Sequence, residues 1–428
     1  MPVRIVVVGS GAAGIGAAAA ARATDPSAEV SIYRGSQEVP GGFDRLFLAG
    51  PQTCIDAGIV LRLDRRVTGI DPDRRVVDVD GEGSIGWDRL VLTAGSPPAG
   101  PEAFSDLEGV YPLGTIPPGG EWDQVLAGAK VAVVVDATPP VLEMVTALAE
   151  RGIETHVVDS HPSVLAGTAD ADIAAPVEES WAEMGVKIHF NTRVEGYLGE
   201  GRVRGVRTSE GELPADVVVV CTRAPAGSDL ATAAGLEVSA VGGVKVDEHM
   251  ATSAHGVWAA GEGVDLPGGV VWVPFQAFDS HAYAQGRVAG TNAAGGKRVY
   301  QPAYVPWSLP AGRWTLGGVA FGETQVKAEG TAYVLAKAQG ISRARYYPDM
   351  KKVTVKLLAE PGSLRLIGAQ MVGGEGIQER ADFLGMAVKM GITLTDLAFM
   401  ENVYSPPIGA LNEPIAVAAQ NGLATVKG

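Results

Sequence analysis

The first strand and turn of the chain constrain its fold more than any other stretch. Residues 4–8 form a short β-branched run that ends at Gly9-x-Gly11-x-x-Gly14, and an alanine-rich segment follows. This order predicts a strand, a tight turn and a helix. Gly9 makes the turn, Gly11 lets the backbone approach a pyrophosphate, and Gly14 lets helix and strand pack closely. We therefore predict a dinucleotide site at the helix N-terminus, where unpaired N–H groups and the helix dipole favour phosphate.

The second strand ends at a residue that departs from this pattern. Residues 29–34 predict a strand, and units of this type carry an acidic side chain at its end for the adenosine ribose. Arg34 occupies that position. An arginine here is consistent with a 2′-phosphate on the ligand, or with a ribose that is held in another way.

Composition limits the class of protein. The 428 residues, 46% of them hydrophobic, include 57 glycines and predict two to four α/β domains. A formal charge of −15 argues against a nucleic-acid partner. No leader sequence and no apolar run of about 18 residues is evident, so we expect a cytoplasmic protein without a membrane span. Two distant cysteines predict no disulfide framework, and the spacing of the six histidines predicts no metal site.

A second unit of the same kind begins with a strand at 130–135. A helix at about 139–151 and a strand at 154–159 follow it. Further along, residues 256–262 predict a strand and a glycine turn, with a helix from about 276 to 293. Two such units imply two cofactors, or one cofactor and the relic of a second.

Other segments predict smaller elements. Residues 59–80 alternate between apolar and polar side chains around two turns, which predicts short antiparallel strands. The C-terminal part predicts strands at 352–358 and 364–371 and a helix at 376–390. This mixture is typical of an α+β domain.

Motifs in a fixed order carry a family resemblance. They are Gly9-x-Gly11-x-x-Gly14, Leu92–Ser96, Val257–Glu262, Gln285–Arg287, Tyr346–Pro348, Gly368–Gln370 and Tyr404–Pro407. The chain resembles the flavoprotein pyridine nucleotide-disulfide oxidoreductases. Within them it is similar to the single-cysteine branch of coenzyme A disulfide reductase, NADH oxidase and NADH peroxidase. The resemblance covers nearly the whole chain.

The resemblance implies an α/β fold with two nested Rossmann-like domains and a C-terminal α+β dimerisation domain. On this basis the FAD-binding domain spans 1–115 and 240–308, the NAD(P)-binding-like domain spans 116–239, and the dimerisation domain spans 309–428. The resemblance also implies FAD as the cofactor, a small-molecule redox substrate and a homodimer.

The resemblance further assigns site residues. Those expected to bind the cofactor are Gly9, Gly11, Ala12, Ala13, Gly14, Arg34, Thr93, Ala94, Gly95, Gly261 and Glu262. Glu262 replaces the aspartate that touches the ribityl chain in the family. Tyr347 and Tyr404 stand where the family's tyrosines reach toward the partner's flavin. They are candidates for catalytic proton donors, or equally for interface aromatics.

The first departure from the family concerns its redox cysteine. Asp44 stands at the counted position of that cysteine, and we keep it as a catalytic candidate. Cys54 follows ten residues later, in what we predict to be a short helix. A redox role needs an accessible thiol with a lowered pKa, and the alternative for Cys54 is a packed side chain. Cys221 ends a run of valines and is expected in the core.

The second departure concerns the turn of the second unit. Asp136, Thr138 and Val141 replace its three glycines, and Pro139-Pro140 lies between them. Side chains then fill the space for a pyrophosphate, the prolines lack N–H donors, and Asp136 adds a repelling charge. We therefore doubt that NAD(P)H binds here in the usual way, although weak binding stays possible.

Three functions follow. The first is an FAD-dependent oxidoreductase without the cysteine relay, whose flavin exchanges electrons directly with a small molecule. The second is a thiol-free NAD(P)H oxidase or reductase that uses oxygen, a quinone or a coenzyme A-type acceptor. The third is an electron-transfer subunit that works with a protein redox partner. The motifs favour the first.

Overall fold

The computed structural model describes residues 1–35, 54–95, 105–112, 120–221, 228–240, 242–266, 278–300 and 304–426. Asp44, Ser96 and the expected first residues of the helix at 276 lie outside these ranges.

The strands are β1 (Arg4–Val8), β2 (Glu29–Tyr33), β3 (Val60–Arg62), β4 (Val67–Asp71), β5 (Val76–Val79), β6 (Gly83–Gly86), β7 (Arg89–Leu92), β8 (Val110–Pro112), β9 (Val131–Val135), β10 (Glu154–Val158), β11 (Lys187–His189), β12 (Val194–Glu200), β13 (Arg202–Thr208), β14 (Gly211–Pro214), β15 (Val217–Val220), β16 (Val244–Lys245), β17 (Val257–Ala259), β18 (Val264–Asp265), β19 (Trp307–Ala311), β20 (Trp314–Ala320), β21 (Val334–Ile341), β22 (Lys352–Ala359) and β23 (Leu366–Gly373).

The helices are α1 (Ala12–Thr24), α2 (Gly120–Leu126), α3 (Leu142–Glu150), α4 (Ala171–Glu183), α5 (Ser228–Ala233), α6 (Asp279–Ala293), α7 (Glu323–Ala328), α8 (Ile377–Lys389), α9 (Leu394–Ala398) and α10 (Pro414–Val426). A 3₁₀ turn, Pro139–Val141, precedes α3.

The first domain is built on a parallel sheet in the order β17-β7-β1-β2-β3. Its central strands are apolar on both faces because helices cover them, as is usual in parallel sheets. The prediction of antiparallel strands over 59–80 is confirmed for β4 and β5, which pair with each other, and β5 also pairs with β6. It is wrong for Val60–Arg62, which pairs parallel to β2. Strand polarity at this edge follows from the sheet that β3 joins, which local alternation does not encode.

The second domain repeats the arrangement with a parallel sheet in the order β11-β10-β9-β15-β8. The antiparallel sheet β12-β13-β14 lies beside it. Its last parallel strand, β8, comes from residues that the sequence analysis assigned to the first domain. Conversely, Ala231 and Leu236 pack into the core of the first domain. Each of these two domains therefore includes a short segment that the sequence analysis assigned to the other.

The C-terminal domain is an antiparallel sheet in the order β19-β20-β23-β22-β21, packed against α8 and α10. Its first strand also packs against the second domain, since Trp307 and Ala311 lie in the same buried cluster as Trp181. No helix within the residues described above is long and apolar enough to cross a membrane.

Candidate cofactor site

The first glycine turn closes tightly around β1. Gly9 has a φ of +110°, and its N–H donates to the carbonyl of Tyr33 at 3.0 Å. A Cβ on Gly9 would lie 2.4 Å from the carbonyl oxygen of Thr93, and one on Gly14 would lie 2.1 Å from that of Gly9. Only glycine fits either position. The roles predicted for these two glycines, in the turn and in helix packing, therefore agree with the geometry.

Gly11 has the opposite environment. A Cβ added there would meet nothing within 4 Å. Gly11 is the N-cap of α1, it makes no side-chain cap, and Ala12 and Ala13 open the helix. The first N–H groups of a helix have no partner inside it. This turn therefore presents an open cradle of donors at the positive end of a helix, which fits the pyrophosphate of FAD.

Thr93 connects the motif at 92–96 to the end of β1 through two hydrogen bonds. Its hydroxyl donates to the carbonyl of Val8 at 2.8 Å, and its N–H makes a 2.8 Å bond to the same oxygen. Thr93 is buried, Ala94 is half-buried and Gly95 is exposed. The motif thus emerges from the core next to the glycine turn, at the carboxyl edge of the sheet where dinucleotides bind.

The third motif lies against the first turn of α1. Gly261 has a φ of +99°, and a Cβ there would approach that of Ala13 to 3.0 Å. The Gly261 N–H donates to Oε1 of Gln285 at 2.8 Å. Glu262 follows, half-buried. The structure therefore brings all three motifs together around one end of α1.

Sequence reasoning matched Gln285–Arg287 to a helix of the family but predicted no packing role for the glycines of α6. A Cβ on Gly286 would lie 2.0 Å from the carbonyl oxygen of Ala13, and one on Gly290 would lie 1.9 Å from that of Ala17. The two helices therefore pack backbone to backbone. The matching four-residue spacing of small residues on α1 and α6 is the signal that could have found this contact.

Arg34 lies directly after β2, as predicted. Its N–H donates to the carbonyl of Arg62, and its own carbonyl accepts from the N–H of Arg65. The preceding residue, Tyr33, accepts the Gly9 N–H, so Arg34 follows the strand at the glycine turn. Arg34 therefore stands where an acid for the adenosine ribose would be expected, and its contact with the cofactor stays a prediction.

The second turn keeps the strand–turn–helix arrangement of the first, but most of its backbone N–H groups are not free to bind a ligand. Asp136 has a φ of +68°, a conformation that suits glycine, and its N–H donates to the carbonyl of Val158. The Val141 N–H bonds to the carbonyl of Thr138, and Pro139 and Pro140 have none. Because this first turn is 3₁₀, α3 begins only after it. The turn does not fit a pyrophosphate in the manner of the first turn.

The carboxylate of Asp159 closes this turn from the next strand. Oδ2 accepts from the Ala137 N–H at 2.8 Å, and Oδ1 accepts from the N–H of His161 and contacts its Nδ1, both at 2.8 Å. Asp159 is only 3% exposed. Thr138 therefore keeps the one N–H of residues 136–141 that has no partner among the residues described.

A buried ionic cluster joins the second domain to the C-terminal domain. Nζ of Lys356 lies 3.1 Å from Asp170, 2.6 Å from Asp172 and 3.0 Å from Glu323. Lys337 also binds Asp172, at 2.6 Å. Burial opposes ionisation of Glu323, but hydrogen bonds from lysines and a tyrosine outweigh it and lower the pKa of Glu323 to about 2.

Backbone contacts reinforce this junction. Asp170 accepts from the N–H groups of Glu323 and Thr324 at the start of α7. Its own N–H donates to Gln370, whose amide donates to the carbonyl of Thr168. The domain that carries the altered turn is thus fixed to the C-terminal sheet by buried polar bonds.

Both cysteines are buried and neither forms a disulfide. Cys54 is 5% exposed, and burial raises the pKa of its thiol. Its carbonyl accepts from the N–H of Ile59, which leads into the amino-terminal end of β3, away from the carboxyl edge where a dinucleotide lies. Cys221 lies in the core, as predicted.

The predicted tyrosines meet on the surface of the C-terminal domain. Tyr346 and Tyr347 have ring centroids 5.3 Å apart, and interaction with Tyr404 contributes to raising the pKa of Tyr346. The carbonyl of Pro406 accepts from the N–H of Ala344, which ties the two segments together. Their catalytic role stays a prediction.

The same domain exposes a large apolar face. Its exposed side chains are Phe383, Met386, Met390, Phe399, Val403, Ile408 and Leu411, each between 45% and 81% accessible. Exposed apolar side chains in this number are typical of an interaction surface. Among the residues placed by the structure, no group of three His, Cys, Asp or Glu side chains is arranged to hold a metal ion.

Comparison with known families now identifies the class. A parallel-sheet domain with three glycine motifs around one helix, a second unit of the same frame and an antiparallel C-terminal domain together define a flavoprotein-type oxidoreductase fold. Residues 3–286 match the pyridine nucleotide-disulphide oxidoreductase family, and residues 312–414 match its dimerisation domain. The chain belongs to this family of FAD-dependent oxidoreductases.

Several relatives extend over nearly the whole chain. An NADH oxidase of Methanocaldococcus jannaschii is 28% identical, covering 98% of both chains. An NAD(P)H sulfur oxidoreductase (CoA-dependent) of Pyrococcus abyssi is also 28% identical, covering 97% of both. The structure of an NAD-dependent persulfide reductase from A. fulgidus matches with a TM-score of 0.88 and 29% identity, covering 99% of this chain and 84% of the other.

Proposed function

We propose that this protein is an FAD-dependent oxidoreductase that works without a cysteine relay and exchanges electrons directly with a small molecule. The observation that carries the proposal is the pairing of an intact cradle at Gly9–Gly14 with two buried cysteines. FAD supplies the redox chemistry when it is bound. The protein binds the pyrophosphate at α1 and the ribityl end near Gly261-Glu262.

The thiol-free assignment rests on both cysteines of the chain. A cysteine that exchanges electrons needs exposure and a lowered pKa. Cys54 has the opposite properties, and its segment leads into the amino-terminal end of β3. Cys221 is a core residue at 2% exposure. Asp44 remains a proposed catalytic residue at the position of the family's cysteine.

The second turn lacks most of the backbone donors that bind a pyrophosphate. This supports an electron donor that is not a dinucleotide bound in the usual mode. Pyrophosphate recognition needs free backbone donors, and residues 136–141 retain one. Asp136 would also place a carboxylate beside the phosphates.

A homodimer is part of this proposal. The dimerisation domain exposes the apolar face defined above next to the tyrosine cluster. A second copy that covers this face would bring Tyr347 and Tyr404 toward the partner's flavin site. There they would hold or donate a proton, or close the site against water. Small-angle scattering or sedimentation of the purified protein tests the assembly.

The relatives favour a second candidate function. Proteins named NADH oxidase and NAD(P)H sulfur oxidoreductase share the whole architecture, so a thiol-free NAD(P)H oxidase or reductase is the alternative. In that case the nicotinamide cofactor would bind by contacts other than the missing glycine cradle.

An anaerobic absorbance titration with NADH and then NADPH separates the two. We expect purified protein to show an oxidised flavin spectrum that dithionite bleaches and neither nucleotide bleaches at stoichiometric amounts. Bleaching by either nucleotide would favour the second candidate. A protein that holds no FAD and takes none up would refute both.

A further inference from the structure

Gln285 is a buried polar residue that no step of the proposed function uses. It is 2% exposed, on the face of α6 that packs against α1. Its Oε1 accepts from the N–H of Gly261 at 2.8 Å. A left-handed glycine turn with a buried N–H needs such a partner, because a buried donor without one is costly.

The other end of the Gln285 amide reaches a second residue. The Gln285 side chain interacts with the hydroxyl of Tyr300, and this interaction lowers the pKa of that hydroxyl. Burial raises the pKa of Tyr300, which keeps its hydroxyl neutral. Tyr300 packs against both the core of the first domain and that of the C-terminal domain.

These contacts form one chain from the domain junction to the site. The order is Tyr300, Gln285, Gly261 and then Ala13 in the first turn of α1. Gly286, the next residue of α6, contacts the carbonyl of the same alanine. The position of Gln285 is therefore fixed relative to α1, and the Gly261 turn is fixed relative to Gln285.

We propose that Gln285 is a positioning residue for FAD: it holds the Gly261-Glu262 turn at the distance from the α1 cradle that the cofactor needs, with Tyr300 orienting its amide. This inference rests on the proposed FAD site. Gln285 acts through the turn and is not assigned a contact with the reacting atoms.

The test compares two buried glutamines. Gln285→Met keeps the length of the side chain and removes the strong acceptor and the donor. Gln370→Met makes the same change at a residue that is 3% exposed and has two buried hydrogen bonds, but in the C-terminal sheet. Both variants should lower the melting temperature of the apoprotein, because each loses at least one buried hydrogen bond.

Only Gln285→Met should change the cofactor site. We expect its FAD dissociation constant, measured by flavin fluorescence on reconstitution, to rise about tenfold. The visible circular dichroism of the residual bound flavin should also change. Gln370→Met should keep the wild-type affinity and spectrum.

Two results would overturn the inference. One is wild-type FAD affinity in Gln285→Met, and the other is an equal loss in Gln370→Met, which would indicate general destabilisation. If Gln285→Met does not fold, Tyr300→Phe replaces it and should weaken FAD about threefold, and an unchanged affinity there counts against the proposal. A wild-type protein that binds no FAD would instead remove the proposed function.

Discussion

The two βαβ units make the same first hydrogen bond and then diverge. In the first unit the Gly9 N–H donates to Tyr33, and in the second the Asp136 N–H donates to Val158. Both residues have a positive φ, of +110° and +68°. After that point the first unit opens directly into α1, whereas the second passes through a 3₁₀ turn that contains two prolines.

The difference shows that the strand–turn–helix fold can persist where the free N–H groups that bind a phosphate are lost. The hydrophobic strands and the packed helix maintain the frame, and they are intact in both units. The cradle depends on a few free N–H groups and on the absence of side chains. In the second unit the carboxylate of Asp159 accepts a hydrogen bond from the Ala137 N–H, so this donor is not available to a ligand.

The largest effect is expected from copying the second turn into the first. Gly14→Val introduces the residue type that stands at position 141, and its Cβ would lie 2.1 Å from the carbonyl oxygen of Gly9. We expect FAD affinity to fall at least about a hundredfold, since overpacking costs about 1–3 kcal/mol and the turn must also move. Flavin content and reconstitution titrations measure this.

Gly11→Ala is the matched variant for that comparison. Its Cβ meets no protein atom, so the apoprotein should melt at the wild-type temperature while FAD binding weakens. Normal FAD binding by both variants would mean that this turn is not the cofactor cradle.

The second-largest effect is expected on stability, from breaking the ionic cluster that joins the second domain to the C-terminal domain. Lys356→Met leaves three buried or half-buried carboxylates near one another and should destabilise the protein by about 3 kcal/mol. Lys337→Met, at a 43% exposed side chain, should cost less than about 1 kcal/mol. Urea unfolding measures both, and FAD affinity should change in neither.

The pH dependence of this cluster has a definite sign. The pKa of Glu323 is depressed to about 2, so the stability that its ion pairs contribute is present above its ordinary pKa near 4.5. That contribution is lost as the pH falls through about 2. The stability difference between wild type and Lys356→Met should therefore persist at pH 4, and a difference that disappears by pH 5 would contradict the assignment.

A smaller effect is expected from opening the second turn. A variant that combines Asp136→Gly, Thr138→Gly and Pro139→Ala restores two glycines and one N–H. We expect NADH to bind about tenfold more tightly than to wild type, because a repelling carboxylate is removed and donors return. Isothermal titration with NADH measures this, and Glu150→Ala, at the exposed last residue of α3, is a control that leaves the turn unchanged. Unchanged affinity would mean that the turn does not limit nucleotide binding.

The smallest effect is expected at Cys54. Because its thiol is buried and its pKa is raised, Cys54→Ser should leave the rate and extent of flavin reduction by dithionite and by substrate unchanged. A modest loss of stability, about 1 kcal/mol, is the only expected change. A large loss of turnover with intact flavin would restore a thiol mechanism.

The sequence by itself determined the two βαβ frames, the positions of the three motifs and the altered second turn. Periodicity and glycine spacing report backbone geometry directly, so Gly9, Gly14 and Asp136 could be assigned without coordinates. The family model and the solved relative confirm the architecture that these motifs predicted.

Only the tertiary structure decided what depends on contacts between distant segments. The parallel pairing of Val60–Arg62, the capture of the Ala137 N–H by Asp159 and the bond from Gly261 to Gln285 each join residues 22 or more positions apart. Local patterns carry no information about which buried donor meets which acceptor. That choice follows from how the helices and sheets pack, and it determines which backbone N–H groups of each turn stay free.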